Sequence, residues 1–317
     1  MSDIIDDTRI ELETAHAVGP PAASTRRRKR PVGLYFGLAW LAIIVFHALF
    51  ARFLPWVRGE NERASDASNF AFSPGTDFWF GSDQIGKDVF ARCVYGARLS
   101  LTVATVSILV GVLIGGTLGM LAGYFKGGSD RVISIFTDAL LAFPAIVIAA
   151  LVIGRLDALA SSDIEVFGIG FGWLSRRWSI AIIFSFLSIA PVARIVRAQT
   201  LSLSEREYVL AARSLGARTP RVLVREILPN LVPAMVSVIF TGIAILLAAE
   251  GGLAFIGYSI KPPDASWGLM INEARSRIDD AWWATMFPAL MLFLTVLALN
   301  LVGDWLAKRF DIREATL

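Results

Sequence analysis

Six stretches of mainly apolar residues follow one another along the chain, with polar segments between them. A helix of about 20 apolar residues spans the hydrocarbon core of a bilayer, and each stretch comes close to that length or exceeds it. The fourth stretch is the least regular, because polar residues flank it and Pro191 interrupts it. The pattern predicts an all-α membrane protein with six transmembrane helices, at Gly33–Phe53, Leu99–Phe125, Val132–Ile153, Ser179–Val196, Val232–Ile256 and Ala284–Leu306.

The polar segments divide the chain into four predicted regions. Residues 1–32, which are rich in Asp, Glu, Pro and Ala, form a leader whose composition predicts disorder. Residues 33–98 hold the first helix and an extracytoplasmic segment, and residues 99–308 hold a core of five helices with a polar loop at 202–230. Residues 309–317 form a cytoplasmic tail.

Composition supports a multi-pass membrane protein and excludes several other classes. The chain is 55% hydrophobic and only 18% charged, with a mean hydropathy of +0.61, so membrane lipid is its expected surrounding. The net charge of +3 gives no reason to expect a nucleic-acid partner. A single cysteine, Cys93, excludes an intrachain disulfide and a cysteine-rich metal site, so we predict no metal and no cofactor in this chain.

Orientation follows from the basic run RRRKR at residues 26–30, directly before the first predicted helix. Basic residues beside a membrane helix stay on the cytoplasmic side, so the N-terminus is expected there. With six spans the C-terminus lies on the same side. The sequence thus predicts a multi-pass membrane protein with both termini in the cytoplasm.

Two outer loops are predicted at residues 154–178 and 259–283. The first is rich in glycine and aromatic residues. In the second, Lys261-Pro262-Pro263 is expected to stop the fifth helix, because proline cannot continue it. Trp267 is expected in a belt of aromatic residues at the outer membrane surface, together with Trp282 and Trp283, rather than against a substrate.

Four glycines in the second predicted helix, Gly111, Gly115, Gly119 and Gly123, recur every four residues. Small residues at this interval let two membrane helices approach closely. We interpret the row as a packing face inside one helix bundle.

The segment before that helix carries charged residues around a short amphipathic stretch. Val89, Phe90, Cys93 and Val94 share one helical face, which predicts a short helix at the outer interface. The charged residues fit two roles, contact with partner proteins or anchoring of this helix. They are Asp83, Asp88, Arg92 and Arg98.

The polar loop at 202–230 has the signals of two short helices. Ser204 and Glu207 have the spacing of a capping box, which predicts a helix from Glu205 to Leu215 that ends at Gly216. Thr219-Pro220 then predicts the start of a second helix, which ends before Pro229.

The first of these helices would carry an apolar stripe of Tyr208, Ala211, Ala212 and Leu215. Alanines keep such a surface slim, as entry into a partner's groove requires. The residues alone leave a second interpretation open, a solvated cytoplasmic loop that only follows the positive-inside bias. Charged residues would surround the stripe, namely Arg213, Arg218, Arg221, Arg225 and Glu226.

Two acidic residues lie inside predicted spans, where charge is costly and often functional. For Asp138 we weigh a buried ion pair against a place in a gate or passage. For Glu250 we weigh a position near the outer surface with access to water against the same functional role.

The polar loop resembles the coupling loop of ABC importer permeases, written E-A-A, three residues, G, nine residues, I-x-L-P. Ala211-Ala212, Gly216 and Leu228-Pro229 fit this pattern. Leu210 stands at the glutamate position, and Glu226 stands at the isoleucine position with Ile227 one residue later. The missing glutamate weakens the expectation of one polar contact with an ATPase, while the alanine pair, glycine and proline preserve the expected shape.

Further segments from about residue 80 to 313 are similar to the second permease subunit of dipeptide, oligopeptide and nickel importers. They are FGSDQIGKDVFARCVYGARLSL, DALLAFPA, AEGGLAFIGYSIKPPDASWGLMI and FLTVLALNLVGDWLAKRFDIR. The resemblance implies a type I ABC importer permease fold with a cytoplasmic coupling helix. It also implies a location in the cytoplasmic (inner) membrane of a bacterium or archaeon.

The same resemblance implies a set of partners. They are a second homologous permease, one or two ATPase subunits that bind ATP and Mg, and an extracytoplasmic substrate-binding protein. The residues implied in ATPase coupling are Glu207, Tyr208, Ala211, Ala212, Leu215, Gly216, Arg218, Ile227 and Pro229. Those with an implied place in a gate, passage or partner contact are Asp138, Glu250, Asp83, Asp88, Arg92, Arg98 and Trp267.

Enzymatic activity is not expected in this chain. No lysine is followed by Ser or Thr, so the phosphate-binding loop of an ATPase is absent, and no hydrolase motif is present. The missing motifs argue against an enzyme, and the resemblance implies that the chain is a permease subunit for di- or oligopeptides. The alternatives are a permease for nickel or another small solute, a self-sufficient secondary transporter, which would favour internal repeats, and a structural scaffold.

Overall fold

The computed structural model describes residues 32–57, 59, 71–160, 165–166, 169–170 and 175–314. The predicted leader lies almost entirely outside these residues. Nine α-helices form the described part of the chain: α1 Val32–Phe50, α2 Val89–Phe125, α3 Gly127–Leu141, α4 Ala145–Ala160, α5 Arg176–Leu203, α6 Glu207–Ser214, α7 Thr219–Phe255, α8 Trp267–Ala274 and α9 Trp282–Glu314.

Five described helices are long and apolar enough to cross a membrane: α1, α2, α5, α7 and α9. The pair α3 and α4 passes the same test only as a unit, bent by 83°. Counting this pair as one span gives the six predicted crossings. The prediction of a continuous third helix over Val132–Ile153 is wrong, because it overlooked the break at residues 142–144.

Pro144 explains where the third span breaks. It supplies no amide hydrogen to the helix, and its ring disfavours helical geometry at Phe143. The next helix begins directly after the proline, and the Pro144 carbonyl accepts hydrogen bonds from the amides of Val147 and Ile148 at 2.9 and 3.2 Å.

Helix α2 begins ten residues earlier than predicted. Asp88 caps its first turn by accepting hydrogen bonds from the amides of Phe90 and Ala91. Val89, Cys93 and Val94 are thus buried in the first turns of a 37-residue helix, so the prediction of a separate interfacial helix is wrong.

Helices α2 and α5 pack along the glycine row, as predicted. A Cβ atom at Gly115 would lie 2.5 Å from the Ile189 carbonyl oxygen, and one at Gly123 would lie 2.7 Å from that of Arg197. Gly119 faces the carbonyl of Ala193 in the same way. Because these neighbours are backbone atoms of α5, only glycine permits this approach.

The helices alternate in direction, which places α6 at the end of the bundle where α1 begins. At this end, the start of α1 approaches α9 near Leu301, and Ser237 of α7 donates a hydrogen bond to the Gly303 carbonyl at 2.9 Å. We call this the loop end of the bundle. Helix α8 and the segment before α2 lie at the opposite end.

Two further departures concern the opposite end. Helix α7 ends at Phe255 because Gly257 adopts a positive φ of 82°, and Tyr258 bonds the Leu253 carbonyl five residues back. The prediction that Lys261-Pro262-Pro263 stops it is therefore wrong by several residues. Residues 165–166 and 169–170 pair as a minimal antiparallel hairpin, so the described fold is nearly, not strictly, all-helical.

Candidate functional site

The loop between α5 and α7 contains a single short helix, α6. Its first turn lacks the predicted capping box: Arg206 is the N-cap without a side-chain hydrogen bond, and Ser204 Oγ instead donates to the Leu201 carbonyl of α5. The Ser204 hydroxyl binds a carbonyl at the end of α5 and does not cap α6. Helix α6 therefore begins at Glu207, two residues later than predicted.

Gly216 ends α6, as predicted. Its φ of +81° is left-handed, its amide donates to the Arg213 carbonyl, and the Ala217 amide donates to the Ala212 carbonyl at 3.0 Å. This pair of bonds is the Schellman arrangement that closes a helix at glycine. Nothing lies within 4 Å of a Cβ atom built there, so the turn conformation alone requires glycine.

The predicted apolar stripe lies on the outer surface of α6. Tyr208 is 41% exposed, Leu215 is 88% exposed and Ala211 is exposed, while Ala212 is half-buried. Leu210, at the motif's glutamate position, is also exposed. A short helix therefore presents apolar side chains away from the bundle.

The inner face of α6 depends on a residue that the sequence reasoning missed. Val209 is fully buried against the hydrophobic core, which also contains Val222 and Ile227. Ile227, which the resemblance implies in ATPase coupling, has no exposed side-chain area, so it can contribute to coupling only by packing beneath α6 and not by direct contact with a partner. Val209 is an apolar residue that lies off the face of the stripe, and an apolar position on that other face is the signal that could have identified it.

Three side-chain contacts link the loop to the membrane helices. Lys126 Nζ lies 2.9 Å from Glu205 Oε1, and the Arg213 guanidinium lies 4.5 Å from the centre of the Tyr124 ring. On the other side, Asn230 Nδ2 of α7 donates to the Tyr208 hydroxyl at 3.2 Å. The exposed ion pair adds little stability, but the three contacts together fix the position of α6 on the bundle.

The predicted second helix of the loop is the start of α7. The chain winds without interruption through a π-helical turn at Val222–Ile227, where the Leu228 amide donates to the Leu223 carbonyl five residues back. The prediction of an end before Pro229 is wrong, because this wider turn accommodates the proline's missing donor. Arg218 is the exposed N-cap residue, and Pro229 is exposed within α7.

Helices α3 and α5 share two ion pairs. Arg197 binds both carboxylate oxygens of Asp130, with Nη2 2.8 Å from Oδ2. Arg194 Nη2 lies 2.5 Å from Asp138 Oδ1. The sequence prediction of an ion pair at Asp138 is right in chemistry but wrong in burial: the Arg194 and Asp138 side chains are 59% and 62% exposed. Residue types alone did not identify Arg194, Arg197 or Asp130.

Two cavities flank these pairs. A polar one of about 380 Å³ is lined by Asp138, Arg194 and Arg197 with Ser134 and Thr137. An apolar one of about 520 Å³ lies beside it between the bent pair, α5 and α7.

Glu250 lies near the end of α7 and is only 2% exposed, so its predicted access to water is wrong. Its Oε1 accepts hydrogen bonds from the hydroxyls of Ser259 and Ser266, the latter at 2.7 Å. Ser266 also caps α8 by accepting from the Leu269 amide. The carboxylate therefore joins α7 to α8 at the opposite end of the bundle.

Arg92 is the centre of a charged cluster at the same end. Its guanidinium lies 2.6 Å from Asp83 Oδ2 and 2.9 Å from Glu273 Oε2, and its side chain is only 6% exposed. Asp83 Oδ1 also accepts from the amides of Ile85 and Lys87. Of the two predicted roles, these contacts match the anchoring one, with a longer helix than expected.

The remaining predicted residues, Arg98 and the tryptophans, differ in whether their side chains are exposed or buried. Arg98 is exposed on α2. Trp267 is fully buried and donates from Nε1 to the Cys93 carbonyl at 3.0 Å, so its place in a membrane-surface belt is wrong. Trp283 is likewise buried and bonds the Ser82 carbonyl, whereas Trp282 is half exposed. Among the described residues, no group of three His, Cys, Asp or Glu side chains is placed to hold a metal ion.

Comparison with known families gives one match over most of the bundle. Residues 115–315 match the family model described as binding-protein-dependent transport system inner membrane component. The chain is 36% identical over 283 residues to a glutathione transport system permease protein, GsiD, of Pectobacterium atrosepticum, covering 89% of this chain and 87% of that protein. It is 33% identical over 273 residues to a dipeptide transport system permease protein, DppC, of Alkalihalophilus pseudofirmus, covering 86% and 84%.

Solved structures agree on the fold. The inward-facing MetNI methionine ABC transporter matches with a TM-score of 0.52 at 17% identity, covering 68% of this chain and 95% of that one. An amino acid ABC transporter crystallised with histidines gives 0.51 at 16% identity, covering 69% and 94%. At these identities the match concerns the fold alone.

Proposed function

The chain belongs to the family of binding-protein-dependent transport system inner membrane components, and we propose that it is the permease subunit of an ATP-driven peptide importer. The observation that carries the proposal is α6, a short helix with an exposed apolar stripe that the bundle holds in a fixed position. Relatives named as dipeptide and glutathione permeases supply the substrate class, small peptides.

In this proposal the loop end faces the cytoplasm, in agreement with the basic run at residues 26–30. Helix α6 enters a groove on a separate ATPase subunit, which binds ATP and Mg, and this chain performs no hydrolysis. A second permease completes the passage, and a substrate-binding protein delivers peptide at the opposite end.

A movement that the ATPase imposes on α6 would pass to the rest of the bundle through α7. Helix α7 starts beside α6, runs without interruption from Thr219 to Phe255, and is joined to α8 through Glu250 and Ser266. A displacement of α6 therefore reaches the opposite end of the bundle along one helix. Such a movement would shift the balance between two arrangements of the passage.

The test of the partners is purification of the tagged chain from its native membrane in mild detergent. We expect a second six-span permease and one or two ATPases to co-elute, and the reconstituted assembly with its binding protein to import peptide only with ATP. A chain that elutes alone and moves peptide without ATP would contradict the proposal.

Gly216→Val is expected to abolish most peptide uptake while leaving the amount of inserted protein unchanged. A β-branched residue at φ +81° costs about 1–2 kcal/mol, which is relieved by reorienting the end of α6. Uptake and protein level are measured in the same membranes.

Gly216→Asn is the matched control, because asparagine tolerates the left-handed region and the site has open space. It should retain most of the uptake. Equal uptake by the valine and asparagine variants would show that the conformation of this turn has no part in coupling.

A further inference from the structure

Asp138 and Arg194 belong to helices that are long and apolar enough to cross a membrane, α5 alone and α3 together with α4, and both side chains are exposed. With the middle of α5 taken as the middle of the bilayer, Arg194 lies 4.5 residues, or about 7 Å, from it and thus inside a hydrocarbon layer of about 30 Å. An exposed charge facing lipid at that depth is costly. An exposed ion pair contributes little stability to offset this cost.

The break between α3 and α4 lies on the same face. Helix α3 is 15 residues long, or about 22 Å, so a helix that starts at the edge of a hydrocarbon layer of about 30 Å reaches the break before it has crossed the layer. Residues 141–147 are all exposed, although two helix ends there leave backbone groups without partners inside their helices. Irregular backbone at membrane depth occurs where protein or water covers it, not lipid.

The two cavities show what this face offers a solute. The apolar cavity of about 520 Å³ lies between α4, α5 and α7, and the polar cavity with the Asp138–Arg194 pair lies next to it along α5. The two ions share one hydrogen bond, and the charge of Arg197, which lines the same polar cavity, also acts on Asp138. Asp138 Oδ2 and the remaining guanidinium N–H groups are therefore left for a solute.

From these observations we propose that Asp138, Arg194 and the adjoining apolar cavity form a solute-binding site for peptides with two charged ends, on a water-filled passage. The peptide's ammonium group binds Asp138, its carboxylate binds Arg194, and its apolar side chains occupy the cavity. The site rests on the proposed transport of peptides and adds which residues of this subunit meet the substrate. Arg197 in the same cavity is neutralised by its own pair with Asp130, so Asp138 and Arg194 offer a solute one charge of each sign. Such a pair recognises both ends of a peptide without trapping either, as passage requires.

Thiol labelling of the assembled transporter tests this site. Ile195→Cys puts a thiol beside Arg194, in a side chain that is 44% exposed and lines the apolar cavity. Leu113→Cys is the control, because Leu113 is 71% exposed and lies 6 residues, or about 9 Å, from the middle of α2. The natural Cys93 is buried, so the wild-type chain gives the background.

We expect a charged, water-soluble thiosulfonate reagent to label Ile195→Cys at least about tenfold faster than Leu113→Cys, because the reagent does not enter lipid. Alanyl-phenylalanine at millimolar concentration should slow the labelling of Ile195→Cys severalfold. The same dipeptide with an acetylated amino end and an amidated carboxyl end should not. Adding Asp138→Asn and Arg194→Gln should remove the protection by the free dipeptide.

Equal labelling of the two positions would overturn the water-filled passage. Equal protection by the free and capped dipeptides, or unchanged protection after neutralising the pair, would overturn the binding of charged ends. Labelling needs no ATP, whereas the peptide-import function is tested by ATP-driven uptake through the wild-type assembly. Normal uptake with failed labelling would therefore reject this site alone.

Discussion

Gly115→Ala is expected to destabilise the subunit by about 3 kcal/mol, the upper part of the range for overpacking a well-packed core. The added methyl group would stand 2.5 Å from the Ile189 carbonyl oxygen and 3.2 Å from the Ala193 amide nitrogen. Both neighbours are backbone atoms of α5, so no side-chain rotation makes room. Helices α2 and α5 must separate along their shared seam, which lowers the midpoint of heat-induced aggregation in detergent.

Gly128→Ala is the matched control, since it is the same substitution and has nothing within 4 Å of the added atom. There alanine should be neutral or stabilise helix α3 by up to about 1 kcal/mol, because glycine is the poorer helix former. If the Gly115 and Gly128 variants aggregate at the same temperature, the close approach of α2 to α5 is not what the glycine row provides.

The glycine row shows which features the sequence can predict. A repeat of small residues within a long apolar run predicts close packing against another helix, and the structure confirms this packing between α2 and α5. Gly216 is similar, because a left-handed helix end is a local property of the residue. The six crossings also follow from the lengths of the apolar runs, with the bent pair counted as one.

The errors arose where distant contacts decide the outcome. Glu250 is buried because the segment with Ser259 and Ser266 folds back over the end of α7. No local sequence pattern predicts this fold-back. Trp267 is buried because α8 packs on α2. An apolar run likewise does not reveal whether Pro144 breaks a helix or only kinks it, since Pro191 lies inside an uninterrupted α5.

The candidate site was predicted in part for the same reason. The stripe on α6 follows from helical spacing, but Val209, which decides the face that α6 turns inward, is defined by its burial against the core. Asp138 was singled out as a charge in an apolar run. Its partner Arg194 lies 56 residues away on another helix, and pairing at that separation is set by how α3 and α5 pack.

Arg92→Met is the second substitution for which we expect a large effect, a loss of about 3 kcal/mol of stability, typical of breaking a buried ion pair by removing one partner. Methionine retains the length of the side chain but leaves Asp83, whose side chain is 10% exposed, without its counter-ion. Glu273 loses the same partner. The measurement is again the midpoint of heat-induced aggregation.

Arg98→Met provides the control, because it removes the same charge from the same helix at an exposed position. We expect a change within about 0.5 kcal/mol, as for most surface substitutions. The pair of variants also separates the two roles predicted for this cluster. An Arg92 variant that is fully stable but defective in peptide uptake would mean that the guanidinium serves partner contact instead, whereas parallel losses of stability and uptake mean that it anchors the start of α2.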